Sequence, residues 1–288
     1  MRLGTRARDC LYVNWAVPRS AAPEPPQPLQ YEVHEHDGEE IVFASALLFR
    51  FQGLHHRALP FFRISYPQLI LRLYVTDADG MPAVLFVRVV VPYWVVPVSR
   101  LFGRQPALGG FFSYPEPSDD ATSFVDGQDG MARAFSGNGD GSKIGTLGAD
   151  EEWVWTLRRG GRLEVRGELS SPALGTGPAL GGWNRVVDYV RRRPVGYVHW
   201  DGRLRSLRKS HGTTVPVWPL TVELGATDVL CAAFPRVDPS IWESPHSAWL
   251  CPEIPFTFEI GRPKLLSALP TGRRVVTPVP DGCRESLP

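Results

Sequence analysis

The chain has 288 residues, of which 43% are hydrophobic, and its formal net charge is +1. That length and apolar content can fill one large β domain or two smaller ones, and a charge this small argues against nucleic acid or an anionic membrane as a partner. The 28 glycines and 28 prolines break helices and suit short strands joined by turns. We therefore expect an α+β protein that is mainly antiparallel β, with a few short helices.

Four hairpins are predicted in succession. The first turns at Asp37-Gly38, and the second spans residues 66–91 around the loop that ends at Gly80. The third joins WVWTLRR to RLEVRGEL through a Gly-Gly pair, and the fourth, GYVHWDGRLRSLRK, turns at an Asp-Gly pair. Asp-Gly supplies the positive φ angles of a tight hairpin turn. Further strand-like runs are VPVWPLTVEL, DVLCAAF and PFTFEIG. Consecutive hairpins of this kind predict a sheet that closes into a barrel or stacks, because open edges are a liability.

Two short helices and two irregular regions complete the prediction. The runs YWVVPVSRLF and WNRVVDYVRRR, the latter at residues 183–193, have short helical patterns. Residues 113–150 are acidic, Gly-rich and aperiodic, which indicates a long flexible loop or insertion. Residues 264–288 are Pro/Arg-rich and have little to bury, so we expect a loose tail. The prediction is one domain over residues 1–263, followed by that tail.

The chain shows no signal for a membrane or an export route. Its N-terminus, MRLGTRARDCLYVNW, has no apolar core long enough for a signal peptide. The longest apolar run, residues 83–98, is interrupted by Arg88, Pro92 and Pro97, so it does not resemble a membrane span. We expect a cytoplasmic protein with no membrane partner.

Motifs for cofactors and redox centres do not occur. No CxxC pair occurs among the four cysteines, which are Cys10, Cys231, Cys251 and Cys283. This argues against a zinc knuckle or a thioredoxin motif, but the sequence does not exclude disulfide bonds. No GxSxG elbow, P-loop or dinucleotide-binding glycine fingerprint is found. We therefore expect no cofactor.

Two stretches could bind a metal ion but lack a full ligand set. His34 and His36 lie two residues apart on a predicted strand and share a face, yet they flank a turn tip and no third ligand is evident. The stretch SGNGDG at residues 136–141 resembles a calcium loop, but its twelfth position is Leu147 and no helices flank it. The prediction is that no metal binds.

Four stretches resemble motifs of one family, in the same order along the chain. They are DCLYVNW, then YPQLILRLYV with MPAVLFV, then DYVRRRPVGYVHWDGRLRSL, and finally HGTTVPVWPL. They are similar to motifs of a widespread, uncharacterised bacterial family, often called YqjF-like, within the acetoacetate-decarboxylase-like superfamily. The resemblance covers most of residues 9–230. It implies a closed, cone-shaped, mostly antiparallel β-barrel with a cavity for a small molecule.

One departure from that superfamily concerns its chemistry. In acetoacetate decarboxylases a Gly-x-Pro-Lys-Lys motif follows the short helix, and its first lysine forms a Schiff base with the keto acid. The matching residues here are Gly103-Arg104-Gln105-Pro106-Ala107-Leu108, and arginine cannot form an imine because it stays protonated. The carboxylate of the superfamily's P-E-L motif is also missing, since Pro67 is followed by Gln68. The resemblance therefore implies a barrel without the Schiff-base lysine, as is general in the YqjF-like branch.

The second hairpin carries the main ligand-binding candidates. If its loop is the three residues 78–80, Arg72 pairs with Phe86 and Ile70 pairs with Arg88. Both arginines then lie on one face of the sheet. A loop of two or four residues would separate them.

This pairing predicts an anion site. Two guanidiniums beside the amide of Gln68 in a barrel would hold a carboxylate, although they could also face solvent or pair with structural acids. The predicted ligand is a small organic acid or an apolar metabolite, bound near Arg72, Arg88, Gln68 and Tyr93.

Three residues are weaker catalytic candidates, namely His211, His199 and Lys209. Lys209 follows Arg208, and a neighbouring cation lowers the pKa of a lysine, but the favoured interpretation is a solvated charge at a hairpin end. His199 or His211 could carry protons in an isomerase, dehydratase or hydrolase that uses no Schiff base. A further hypothesis is a structural or partner-binding protein that makes contacts through residues 113–150 and the tail.

Overall fold

A computed structural model describes most of the first half of the chain and separate stretches of the second. The described residues are 2–103, 105, 107–113, 153–158, 161–169, 193–211, 217–261 and 264–265. Apart from Ser113 and Arg193, the loop predicted at 113–150 and the helix predicted at 183–193 lie outside them, as does most of the predicted tail. Of the tail, Lys264–Leu265 forms a short strand that pairs with Arg203–His211. The division into a domain over residues 1–263 and a tail stays a prediction.

Strands account for most of the described residues. They are β1 (Arg2–Pro18), β2 (Gln30–Tyr31), β3 (Val33–His36), β4 (Glu39–His56), β5 (Leu59–Thr76), β6 (Pro82–Pro92), β7 (Ala107–Ser113), β8 (Trp153–Arg158), β9 (Leu163–Leu169), β10 (Val195–Trp200), β11 (Arg203–His211), β12 (Trp218–Ala226), β13 (Ser247–Ile260) and β14 (Lys264–Leu265). The helices are short: α1 (Val96–Val98), within a helical stretch from Tyr93 to Gly103, α2 (Asp228–Ala233) and α3 (Pro239–Glu243).

Seven strands pair edge to edge in a ring. The order β6–β5–β4–β1–β13–β11–β10 is antiparallel throughout, and β10 returns to β6 in parallel. A second route from β6 to β13 runs through β7, β8, β9 and β12. The prediction of a mainly antiparallel sheet with few short helices is confirmed. The two parallel pairs, β6–β10 and β6–β7, were not predicted.

The Asp-Gly turns have the predicted geometry. Asp37 and Gly38 have φ angles of 52° and 79°, and Asp201 and Gly202 have φ angles of 52° and 64°. Both central residues of each turn therefore lie in the left-handed region, as a two-residue hairpin requires. These turns set the register of β3–β4 and β10–β11.

The sheet buries both of its faces, and β1 shows why. Its odd residues from Leu11 to Val17 enter one core, where Trp15 donates a hydrogen bond from Nε1 to the carbonyl of Trp242 in α3, at 3.0 Å. Its even residues Cys10 and Tyr12 enter a second core on the opposite face. This second core is rich in aromatic residues, and its members include Phe43, Phe49, Phe51, Tyr66, Tyr74 and Trp249.

Candidate functional site

A row of polar side chains crosses four strands within the second core. The register places Asn14 of β1 opposite both Ser45 of β4 and Ser247 of β13, and Ser45 opposite Arg72 of β5. Each of these four residues is no more than 3% exposed. We call Asn14, Ser45, Arg72, Tyr74 and Ser247 the polar cluster. Sequence reasoning missed all of its members except Arg72, although a polar residue within an apolar strand run such as VFASALLF was the available signal.

Hydrogen bonds join the polar cluster into one chain. Arg72 donates from Nε to Ser45 Oγ at 3.0 Å and from Nη2 to the Tyr74 hydroxyl at 3.2 Å. That hydroxyl donates to Asn14 Oδ1 at 3.1 Å, and Asn14 Nδ2 donates to Ser247 Oγ at 3.2 Å. The network holds the arginine side chain in one position, because Tyr74 is itself bonded to Asn14, and Asn14 to Ser247.

Arg72 is the central charge of this cluster. It is 1% exposed, and its guanidinium carbon lies 5.0 Å from the ring centroid of Tyr12 and 5.5 Å from that of Tyr74. Among the described residues no carboxylate forms an ion pair with it, and only two of its N–H groups donate hydrogen bonds. A buried guanidinium without a counter-ion costs on the order of several kcal/mol, so this position favours an anion.

A second buried guanidinium lies nearby and has its own carboxylate. Arg193 is 2% exposed, forms an ion pair with Glu32, and stacks over the ring of Tyr74 at 5.2 Å. Tyr74 therefore contacts both guanidiniums. Because Glu32 balances Arg193, the uncompensated positive charge belongs to Arg72.

Lys209 brings an amine to the same region. It lies on β11 opposite Phe258 of β13, whose ring packs against Phe51 in the second core. Burial lowers the pKa of Lys209 to about 7, and repulsion from Arg72 and Arg193 adds to that effect. An amine with this pKa is substantially neutral near neutral pH.

The expectation of a solvated lysine at a hairpin end is therefore wrong. The strand β11 continues past the hairpin and pairs with β13 as far as His211, which turns Lys209 towards the second core. Its neighbour Arg208 is exposed on the other side of the strand. The cations that act on the amine are distant in sequence and do not include Arg208.

The prediction that Arg72 and Arg88 share a face is also wrong. The loop agrees with the prediction, since Asp77 N donates to the Met81 carbonyl, and Arg72 does pair with Phe86. However, Leu71 pairs with Arg88, because a β-bulge inserts one extra residue into β6 between positions 86 and 88. One extra residue reverses the side-chain alternation. Arg88 instead donates to the carbonyl of Ala232 in α2, at 2.9 Å.

The remaining predicted residues are divided between the interior and the surface. Gln68 is 6% exposed and lies on the same face of β5 as Arg72, four residues before it. Tyr93 is 47% exposed in the helical stretch and contacts Phe111, so it is not part of the polar cluster. His199 is exposed at the end of β10, and the side chain of His211 lies outside the described part of the structure.

One residue of the stretch compared with the Gly-x-Pro-Lys-Lys motif lies at a buried apolar site. Ala107 is fully buried in the second core at the start of β7, opposite Val89 of β6. The amine of Lys209 approaches this core from β11, a different strand.

The described residues contain neither a cluster of metal-ligating side chains nor a membrane-spanning helix. No group of three or more His, Cys, Asp or Glu side chains there could hold a metal ion. No helix there is long and apolar enough to cross a membrane.

The N-terminal part of the chain matches a known protein family. Residues 5–109 match DUF2071, described as "Uncharacterized conserved protein (COG2071)". The predicted resemblance is confirmed. The DUF2071 match includes β1 to β6 and the first residues of β7, and hence Asn14, Ser45, Arg72 and Tyr74. No curated protein sequence matches the chain.

Solved structures share the fold of this chain. The enduracididine biosynthesis enzyme MppR complexed with pyruvate is 15% identical, with a TM-score of 0.57 over 93% of this chain and 91% of that one. MppR complexed with the condensation product of pyruvate and imidazole 4-carboxaldehyde is 16% identical, with a TM-score of 0.57 over 91% of this chain and 89% of that one. An acetoacetate decarboxylase-like enzyme from Sphingomonas wittichii RW1 is 16% identical, with a TM-score of 0.52 over 93% of this chain and 94% of that one. At these identities the similarity concerns the fold alone.

Proposed function

We propose that this protein binds a small organic acid in a chamber enclosed by the seven-stranded ring, with the carboxylate on Arg72. The observation that carries the proposal is a guanidinium that is 1% exposed and has no carboxylate partner among the described residues. An organic acid would supply the missing counter-ion through the N–H groups that Ser45 and Tyr74 leave uncommitted.

The surroundings of Arg72 suit a small, partly apolar ligand. Tyr12 and Trp249 stack with their ring centroids 3.7 Å apart and form an aromatic wall beside the guanidinium. Binding sites for small molecules combine such apolar walls with a few fixed polar groups. The solved MppR complexes contain pyruvate and a pyruvate condensation product, which supports oxo acids as the first ligands to test.

A second candidate function follows from Lys209. An amine with a pKa of about 7 beside cationic neighbours is a nucleophile for carbonyl carbon. We propose that the carbonyl of a bound oxo acid condenses with this amine, so that a C=N bond forms and one water leaves. The enzyme would then use imine chemistry from β11, although the motif lysine is absent.

The other hypotheses receive less support from the described structure. His199 is exposed, which does not favour it as a proton carrier for a buried ligand. The partner-binding hypothesis rests on residues 113–150 and on the tail, nearly all of which lie outside the described residues.

The binding proposal is tested by thermal shift with pyruvate and acetoacetate. Both acids should stabilise the wild type and Arg88→Ala, whose side chain lies on the opposite face, but not Arg72→Ala. The proposal fails if no small carboxylic acid stabilises the wild type, or if Arg72→Ala responds as strongly as Arg88→Ala.

The imine proposal is tested by reduction with borohydride in the presence of pyruvate or acetoacetate, followed by peptide mapping. The chain has only Lys143, Lys209 and Lys264, so two lysines serve as internal controls. The adduct should appear on Lys209 and disappear in Lys209→Met. Binding without any adduct would leave the protein a non-covalent binder and would exclude the amine chemistry.

A further inference from the structure

Two cysteines face each other across neighbouring strands of the second core. Cys10 of β1 and Cys251 of β13 are direct partners in the antiparallel register, and each is 1% exposed. Both are thiols and are not joined in a disulfide. Sequence reasoning found no CxxC pair because these two residues come from strands near opposite ends of the described chain.

Their geometry suits a disulfide. Direct partners in an antiparallel ladder have Cα atoms about 4.5 or about 5.5 Å apart, and disulfides form at Cα separations of roughly 4.4–6.8 Å. The register is the same at Arg8–Glu253, at Cys10–Cys251 and at the next pair on this face, Tyr12 and Trp249, although Asp9, whose φ angle is 54°, is not paired with β13. The rings of that pair stack at 3.7 Å, which shows that paired side chains here are in contact. The strands therefore need no shift of register to bring the two sulfur atoms together.

The geometry points to Cys10 and Cys251 as a redox modification site, a dithiol that a low-molecular-weight disulfide oxidises to a cross-strand disulfide. A thiolate of the pair attacks one sulfur of the oxidant, which forms a mixed disulfide and releases one small thiol. The second cysteine then attacks the mixed disulfide and releases the second small thiol. The protein loses two protons and two electrons, and the oxidant takes them up as two thiols.

The groups around the pair make this reaction slow at neutral pH. Burial raises the pKa of the Cys10 thiol, and Cys251, Asp9 and Glu253 act in the same direction, whereas Lys209 opposes them. The thiolate is the attacking species, so its small population limits the rate. Oxidation should therefore accelerate as the pH rises towards the thiol pKa.

The disulfide would change both stability and the site. It would close a loop that contains most of the chain, which restricts the unfolded state and raises the melting temperature. It would also link β1 covalently to β13 at Cys10, two residues before Tyr12, whose ring lies against the Arg72 guanidinium. This inference does not depend on the identity of the ligand, so it can fail or succeed independently of the proposed function.

The experiment uses the full chain and oxidised glutathione as the oxidant. The native protein is oxidised at about pH 7 and about pH 9, alkylated, and mapped without reduction. We expect a single Cys10–Cys251 linkage that forms faster at the higher pH. The melting temperature should rise with it and return to its starting value on reduction.

Two variants serve as controls. Cys231→Ser, which changes the cysteine on α2, should form the linkage as the wild type does, and Cys10→Ser should not. Persistent glutathione on either cysteine, a linkage that involves Cys231 or Cys283, or unchanged thiols at both pH values would overturn the inference. The wild-type map decides the question even if Cys10→Ser does not fold.

Discussion

Arg72 and Tyr74, two residues apart on β5, are joined by a hydrogen bond of 3.2 Å from Nη2 to the phenol oxygen. The tyrosine is fully buried, and its hydroxyl donates its single proton to Asn14 Oδ1. The oxygen can therefore only accept from the arginine. This arrangement orients a buried guanidinium by neutral groups and leaves its charge available to a ligand.

Replacing Arg72 by lysine should separate the effect of charge from that of geometry. Lysine keeps the positive charge but cannot donate to Ser45 and Tyr74 while it also makes a bidentate contact with a carboxylate. We expect Arg72→Lys to weaken pyruvate binding roughly 10-fold to 100-fold in calorimetric titration, as the loss of one charge-assisted hydrogen bond implies. Arg88→Lys should bind as the wild type does. Equal affinities for the two variants would contradict a carboxylate on Arg72.

Removing the Tyr74 hydroxyl should destabilise the fold. Tyr74→Phe leaves Asn14 Oδ1 without its donor and Arg72 without an acceptor in a buried site, at a cost of about 1–3 kcal/mol in the free energy of unfolding. Urea denaturation measures this difference. Tyr93→Phe is the matched control, because Tyr93 is 47% exposed and its replacement should change stability by less than about 0.5 kcal/mol. An unchanged midpoint for Tyr74→Phe would mean that the hydroxyl network contributes nothing.

The pH dependence of stability should report the half-buried amine of Lys209. Its folded pKa is about 7, below the ordinary value of 10.5, so between these values the unfolded chain binds the extra proton. Stability from this group therefore rises as the pH increases from about 7 to about 10. Lys209→Met, which removes the amine, should be more stable than the wild type by about 1–3 kcal/mol at pH 6, and this advantage should shrink towards pH 10.

Chemical denaturation across that pH range gives the measurement. Arg208→Met is the control, because Arg208 is the exposed neighbour on the same strand. It should show no such dependence. A constant difference between Lys209→Met and the wild type at all pH values would place the amine in solvent.

Close packing behind Arg72 gives a prediction about Gly196. A Cβ atom at Gly196 would lie 2.7 Å from Cζ of Phe86, the residue that pairs with Arg72 across β5 and β6. Gly196→Ala should therefore lower the free energy of unfolding by about 1–3 kcal/mol and weaken acid binding, because the phenylalanine ring must move. Gly167→Ala, whose nearest contacts would be 3.4 Å, should be close to neutral by the same assay. The reverse order of stability would show that the β6–β10 contact is loose.

Local patterns predicted the hairpins well and one apolar run badly. The sequence pattern of DVLCAAF predicts a strand, but Asp228–Ala233 forms α2. A short apolar run cannot be assigned by periodicity alone. Here Val229, Leu230 and Ala233 lie on one side of a helix and pack into the first core, so the tertiary contacts decided the outcome.

The bulge in β6 shows a limit of a different kind. The loop length and the partner of Arg72 followed from turn chemistry, whereas the fate of Arg88 depended on one extra residue that pairs with nothing in β5. No turn signal marks such a residue. Whether a strand accommodates it is decided by packing on both faces of the sheet.

From the sequence alone came the strand and turn order, the positive φ angles at Asp-Gly, the family resemblance, and a motif without its lysine. These features are local, because they follow from side-chain alternation and from turns of a few residues. The placement of Lys209 near enough to Arg72 to feel its charge, and the pairing of Cys10 with Cys251, were decided only by the tertiary structure. Lys209 is positioned by the pairing of β11 with β13, and Cys10 by the pairing of β1 with β13. The partner of a strand that is distant in sequence depends on how the whole sheet buries its faces.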